Sequence, residues 1–298
     1  LSGAAKRLGL TQSAISQAMQ AFEDSLGQKL FDRSLRPPAF TMTGRLILQH
    51  AKDILERTQQ LEHALRFSSQ AQLPLLRLGV IDTFATLVIP HLITDLRDIA
   101  ANWSITSGAA ETAISAVLEH RADLIITTDD PEGQSSLAVK PILREDYCLV
   151  LPKDFRFNGG SLKTVSQRLD FVRYGISLHM KADVDRYVDE NGIETSRKYQ
   201  LNSVDAVMAM VAAGLGWSIT TPFALLKAQR HLPNLQCVPL PDAQFARTVS
   251  LVGHAGDSSA VMDKIFASAV RILTETTMPQ IRAMVPDLSR TIRIGEEI

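Results

Sequence analysis

The sequence predicts an α/β protein in two parts: a small helical unit at the N-terminus and a larger domain of alternating strands and helices, joined by one long helix. Three observations predict it. At 298 residues the chain is longer than one ordinary core accommodates. Residues 2–26 read as two helices around a tight turn, and from Thr43 to about Phe67 a single helical pattern runs on without proline. From residue 75 onward, strand-like and helix-like segments alternate.

Composition bounds the function classes. Hydrophobic residues make up 45% of the chain and charged residues 21%, with mean hydropathy +0.04, values of a folded globular protein. No apolar run approaches the roughly 18 residues of a spanning helix, and the first residues lack the apolar core of a secretion signal. The reading is a cytoplasmic protein with no membrane partner. Cys148 and Cys237 both lie in apolar, strand-like runs and read as buried free thiols. Residues 1–67 carry nine Lys/Arg and six Asp/Glu, a net +3, and the rest of the chain carries −4. That bias permits contact with nucleic acid at one end without establishing it.

Ser2 is a plausible N-cap for a first helix ending near Leu8, and Gly9 suits its termination because glycine adopts the left-handed conformation without a Cβ clash. Thr11 caps a second helix from about Gln12 to Leu26, whose Ile15, Met19, Phe22 and Leu26 form one apolar stripe. Short helix, glycine turn and second helix make a helix-turn-helix pattern. Gln12, Ser13, Ser16 and Gln17 lie in the first turns of the second helix, where a recognition helix meets base edges and phosphates. The same pattern also suits an ordinary solvated helix face. The run from Leu30 to Pro38 then reads as a wing, with Arg33 and Arg36 placed to flank a DNA backbone or to form surface ion pairs.

At this point a resemblance becomes specific. Ala4, Ala5, Leu8, Thr11-Gln12-Ser13-Ala14-Ile15-Ser16, Leu26-Gly27, Leu30-Phe31, Arg33, Arg36, Phe40-Thr41 and Gly44 follow, in order and without a gap, the winged helix-turn-helix of LysR-type transcriptional regulators. The resemblance implies double-stranded promoter DNA as partner, contacted from the Gln12, Ser13, Ser16 and Gln17 positions and from Arg36 of the wing; Thr11 and Arg33 are added as candidate contacts from their place beside these. It also implies a small-molecule effector, self-association to a dimer or tetramer, contact with RNA polymerase, and control of a gene often next to its own. No cofactor and no metal are expected. Phe22 stands where the family usually has Leu, a tolerable core exchange. The chain opens at Leu1 without the first family helix and is expected to be N-terminally incomplete.

In the long helix, Ile47, Ala51, Ile54, Thr58, Leu61 and Leu65 alternate at spacings of four and three, a seam of about three heptads suited to a partner helix. Packing on its own domain is the alternative. At about 1.5 Å per residue the helix spans about 37 Å. Paired recognition helices about one DNA turn apart read a near-palindromic site. The expected organisation is a winged helix-turn-helix at 1–42, a linker helix at 43–67, a hinge at 68–74, lobe I at 75–152 with 245–275, lobe II at 153–244, and a partly mobile tail at 276–298.

The expected strands are Leu76–Ile81, Leu124–Thr127, Tyr147–Leu151, Gly216–Thr220 and Thr248–Val252, with helices near 84–101, 111–121, 181–191, 204–214 and 257–275. The family resemblance, carried here by Gly79-Val80-Ile81, Leu87, Pro90 and the 211–216 run, implies two lobes of the type 2 periplasmic-binding-protein kind with the effector between them. Asn102-Trp103 replaces a common Tyr-Pro pair. Ligands in open α/β sheets bind beyond the carboxyl ends of strands, near helix starts. That rule selects Asp82, Thr83 and Phe84, Thr127 and Thr128, Asn202 and Ser203, and Thr220 and Thr221, to which His179 in a cleft-facing loop is added. Hydroxyls and backbone N–H groups at a helix start suit a small anion, and equally suit plain capping.

The enzyme alternatives lack their signatures. There is no Gly-x-Ser-x-Gly elbow, no Gly-x-Gly-x-x-Gly after a strand, no P-loop and no paired-His motif. A transport-type binding protein is disfavoured by the N-terminal segment and by the missing secretion signal.

Overall fold

The computed structural model describes all residues except 1–4, 6–8, 10, 33, 35–37, 67–71, 109–112, 176–178, 242–244 and 256–258. The chain divides into two units, Leu1–Gln70 and Ala71–Ile298.

In the first unit, the predicted first helix lies outside the described residues apart from Ala5, which is helical and buried. Gly9 takes φ +67°. Helix α1 (Gln12–Leu26) is capped by Thr11, whose hydroxyl accepts from Ala14 N at 3.2 Å. Strands β1 (Phe31–Asp32) and β2 (Ala39–Phe40) pair antiparallel, with the Phe31 and Phe40 rings 4.7 Å apart. Helix α2 (Met42–Arg66) follows. The expected apolar stripe of α1 is only partly realised. Ile15 is buried, but Phe22 and Leu26 are 43% and 40% exposed, and Glu23 takes the inner position. The Glu23 carboxylate accepts from Leu30 N at 2.8 Å and Phe31 N at 3.2 Å, satisfying the backbone where the chain enters β1. A buried carboxylate with that many donors is tolerated in place of an apolar side chain.

The second unit begins with β3 (Leu76–Val80), α3 (Asp82–Leu87), α4 (Ile89–Asp95), β4 (Trp103–Ser107), α5 (Ile114–Leu118) and β5 (Leu124–Thr127). The single helix expected near 84–101 is two, broken at Val88, with Pro90 in the first turn of α4. Strand β6 (Leu137–Asp146) was not expected. It contains Pro141, accommodated where the β12 pairing shifts register at Val249/Ser250, the kind of bulge that tolerates proline in a strand. Then come β7 (Cys148–Pro152), α6 (Leu162–Ser166), β8 (Val172–Tyr174), α7 (Met180–Glu190), β9 (Tyr199–Leu201), α8 (Val204–Ala212), β10 (Ser218–Thr220), α9 (Pro222–Lys227) and β11 (Leu235–Pro239). The chain ends with β12 (Ala246–His254), α10 (Ser259–Ile272), α11 (Met278–Met284) and β13 (Arg293–Ile294).

Two lobes result. The larger sheet has the order β13-β6-β12-β5-β3-β4, with β3 parallel to β4 and β5, and β12 antiparallel to β5 and β6. The second has the order β10-β7-β11, beside the parallel pair β8-β9. Because β7 pairs with β10 and β11, the chain crosses between lobes at Tyr147, one strand earlier than the Pro152–Asp154 crossing read from the sequence. Residues 148–151 are buried on both faces, so no alternation in the sequence assigns them to either sheet. The return crossing brings Phe245 against Tyr147: Tyr147 N donates to Phe245 O at 2.9 Å, and the rings stack at 4.1 Å.

The tail is ordered, against expectation. Met278, Ile281, Val285, Leu288 and Ile292 recur at helical spacing and are all buried, and β13 pairs with β6. Pro279 and Pro286 suggested a loose segment, yet Pro279 sits in the first turn of α11, where a missing N–H costs nothing.

Candidate functional site

In the first unit, Thr11, Gln12, Ser13 and Gln17 are exposed and Ser16 is half-buried, all around the start of α1. Thr11 is occupied as the helix cap. Arg33 and Arg36 lie outside the described residues. The carboxyl of Glu23 is held below its usual range, chiefly by the Leu30 N–H and against the cost of burial, so it stays ionised beneath the wing.

In the second unit, a cleft of about 360 Å³, counting space open to solvent, is lined by Ile81, Asp82, Thr83, Gly108, His179, Met180, Val204 and Arg247. The larger lobe contributes the β3–α3 turn and Arg247 at the start of β12. The smaller lobe contributes the first residues of α7 and α8. Thr83 is 4% exposed, and its hydroxyl has no hydrogen-bond partner among the described residues.

Arg247 is buried and faces Glu145 across the β6–β12 ladder. Its Nε and Nη2 donate to Glu145 Oε1 at 2.9 and 2.7 Å, and Nη2 also donates to Thr221 Oγ1 at 3.1 Å. Glu145 Oε2 accepts from Phe223 N at 3.1 Å, at the start of α9. One ion pair on the larger sheet thus grips a helix of the other lobe. Burial opposes the Arg247 charge, but Glu145, with Tyr147 and Asp183 behind it, holds its pKa above the usual value. Sequence reasoning missed both residues, although an arginine opening an otherwise apolar strand is a visible signal.

The other sequence-predicted positions divide. Asp82 lines the cleft, but its carboxylate is paired with Lys227 of α9. Phe84 is not a cleft residue: it is fully buried and stacks on Phe223 at 6.2 Å, in the apolar core. Thr127 is buried and its hydroxyl accepts from Asp129 N at 3.1 Å, which shapes a turn. Thr128 is half-buried beside it and is not among the lining residues. Asn202 and Ser203 are exposed, while the neighbouring Val204 reaches the cleft. Asn202 Oδ1 lies against Gly175, where an added Cβ would meet it at 1.5 Å. Ser203 occupies the cap position of α8 without a side-chain hydrogen bond. Thr220 is buried and accepts from Tyr174 OH at 2.9 Å, and Thr221 caps α9 and receives Arg247. His179 is half-buried on the cleft wall. Burial lowers its pKa, Asp129 and Asp183 pull it up, and Arg247 pushes it down, with a net lowering that favours the neutral imidazole.

Among the described residues no cluster of His, Cys, Asp and Glu suits a metal ion, and no helix is long and apolar enough to cross a membrane. Comparison with known proteins gives the context of these two sites. Residues 1–45 match the bacterial regulatory helix-turn-helix protein, lysR family, and residues 69–271 match the LysR substrate binding domain. A probable RuBisCO transcriptional regulator of Cyanophora paradoxa is 25% identical, over 94% of this chain and 89% of its own. The HTH-type transcriptional regulator ShiR of Corynebacterium glutamicum is 28% identical, over 91% and 93%. A cysteine-to-serine mutant of Corynebacterium glutamicum OxyR, bound to hydrogen peroxide, superposes with a TM-score of 0.59 at 22% identity, covering 94% of this chain and 91% of that one. The matched domains and relatives are those of a regulator and not of an enzyme. With its recognition-helix unit followed by a two-lobed effector-binding domain, the chain belongs to the LysR family of DNA-binding transcriptional regulators.

Proposed function

We propose that a small organic anion bound between the two lobes switches this regulator, and that pairing through α2 sets two recognition helices on promoter DNA. The observation that carries the effector site is the Thr83 hydroxyl, buried without a partner on the cleft wall that Arg247 also lines. A buried, unsatisfied hydroxyl costs about 1–3 kcal/mol, which an acceptor on a bound ligand returns. Arg247 Nη1 donates to no atom among the described residues, so one guanidinium edge is available for a charge-assisted bond. Closing the lobes on the ligand changes the geometry of the assembly, and the ligand biases that change only by its differential affinity for the two arrangements. A dimer or tetramer is supported by Met42, Leu46, Ile54 and Leu55, which α2 leaves exposed. Contact with RNA polymerase, which rests on the family resemblance, and a cytoplasmic setting, read from composition, complete the reading.

One fold neighbour binds hydrogen peroxide, but a thiol switch does not suit this chain. Burial pushes the Cys148 thiol well above its usual pKa and the Cys237 thiol up to about 12, the reverse of what a reactive cysteine needs.

For the DNA half, Ser16→Ala is expected to weaken binding to a duplex from upstream of the chain's own gene by about 1–3 kcal/mol, read by fluorescence anisotropy, with little change on random duplex. Equal weakening on both duplexes would assign Ser16 to phosphate contact and remove it from base reading.

A further inference from the structure

The root of the wing is held from two sides. We propose that Glu23 is a positioning residue for DNA binding: its buried carboxylate fixes the wing against the recognition helix, so that both meet the duplex in one register. The inference rests on the wing touching DNA.

Gly27, at φ +62°, turns the chain back on α1, and Gln28 N donates to Glu23 O at 3.2 Å. The next residues meet the Glu23 side chain. Its Oε1 accepts from Leu30 N at 2.8 Å and from Phe31 N at 3.2 Å, and Lys29 Nζ lies 3.4 Å from Oε2. The carbonyls of the same stretch are held from the other side. Thr41 Oγ1 donates to Lys29 O at 2.7 Å, and Thr41 N donates to Leu30 O at 3.0 Å. Gly44 of α2 lies so close that an added Cβ would sit 2.1 Å from Leu30 O. The N–H groups of the wing root are thus held by α1 and its carbonyls by the start of α2. Ser16, a candidate base contact, lies two turns before Glu23 on the same face of α1, about 10 Å along the axis.

Packing alone does not call for a carboxylate here. An apolar side chain at this inner position avoids the cost of burying a charge and often matches such a group in stability. What it lacks is direction. A carboxylate accepting from consecutive backbone N–H groups holds the strand at one height and angle, whereas apolar contacts are non-directional. The root in turn carries the hairpin, because Phe31 stacks on Phe40 and Asp32 pairs with Ala39.

The test uses the full chain and a duplex that the wild type selects from a random-sequence pool. Anisotropy reads affinity, stoichiometric titration reads the competent fraction, and hydroxyl-radical footprinting reads the contacts. Glu23→Leu is expected to raise the dissociation constant at least about tenfold at an unchanged competent fraction. It is also expected to lose protection at the flanks of the half-site, where the wing lies, while the centre stays protected. Glu23→Gln, which keeps one oxygen as an acceptor, is expected to fall between, at about threefold. Thr41→Val, with Glu23 intact, is expected to lose the same flanks, and Thr41→Ser to keep them; this pair carries the test if Glu23→Leu does not fold. A competent fraction that falls with an unchanged footprint makes Glu23 a stabilising residue only and overturns the proposal. Flank protection that survives in a folded Glu23→Leu overturns it too, with wing contact standing. A wild type that protects no flank removes the wing contact itself, and the inference with it.

Discussion

The two units of this chain bury their apolar residues to very different extents. The sensor unit seals nearly all of its large apolar side chains, from Leu76 in β3 to Ile292 near the C-terminus, in one main core and a smaller cluster around Val117, Ile125 and Val252. The DNA-binding unit leaves Met42 80% and Ile54 63% exposed along α2, and Phe22 and Leu26 exposed on α1. The sensor therefore carries its own stability. On the proposed pairing through α2, the stability of the DNA-binding unit is linked to assembly.

The comparison breaks most visibly at the buried ion pair. Arg247→Met leaves Glu145 charged and unpaired in the core and is expected to destabilise the sensor by about 3–5 kcal/mol, read from urea denaturation. Glu145→Gln combined with Arg247→Met is expected to recover much of that loss. If the double variant is as unstable as the single, the pair acts through packing and not charge.

The linker helix gives the next largest effect. Ile54→Asp is expected to raise the dimer dissociation constant by at least about 30-fold, the scale of an interface hot spot, while leaving the sensor's urea transition unmoved. Sedimentation velocity separates the two, and a chain that stays dimeric would return α2 to packing on its own domain. Thr11→Ala removes a helix cap and is expected to cost the first unit about 1 kcal/mol, visible as a lower melting point of that unit alone.

A smaller change carries the opposite sign. Thr83→Val replaces an unpaired buried hydroxyl with a methyl of similar shape and is expected to leave the ligand-free sensor as stable or slightly more stable. Destabilisation would mean that the hydroxyl supports the fold. The last contrast is with pH. The Glu23 pKa is lowered in the folded state, so its contribution is full above the ordinary value of about 4.5 and is lost as pH falls through the lower folded value. Glu23→Gln is expected to flatten the acid limb of the first unit's stability and leave the sensor's acid limb as it was.

What the sequence disclosed follows the same division. The first unit was legible because its positions are set by local spacing: Thr11 caps and α1 runs from Gln12 to Leu26 as read. The burial of Glu23 was not legible, since its partners Leu30 N and Phe31 N lie beyond the helix. In the sensor, β5 was read to the residue, while β6 was hidden by Pro141 and the ordered tail by its two prolines. Of the cleft residues, Asp82, Thr83 and His179 could be chosen from their place after strands or before helices. Arg247 and Glu145 could not, because their adjacency depends on the β6–β12 register, which pairs residues about a hundred positions apart. Thr220 and Thr221 were placed correctly at a strand end, but Tyr174 and Arg247 occupy their hydroxyls. A strand-end rule locates a site's rim and does not show which side chains are already satisfied.

The central claim is that a ligand held at Thr83 controls the DNA-binding unit. The most direct measurement is fluorescence anisotropy of a labelled duplex from upstream of the chain's own gene, titrated with a small carboxylate that binds the full chain, for the wild type and Thr83→Val side by side. The predicted result is equal DNA affinity without ligand and a response in Thr83→Val that needs about tenfold more of that carboxylate, the worth of one hydrogen bond to a charged group. A Thr83→Val response at the wild-type ligand concentration would contradict the account.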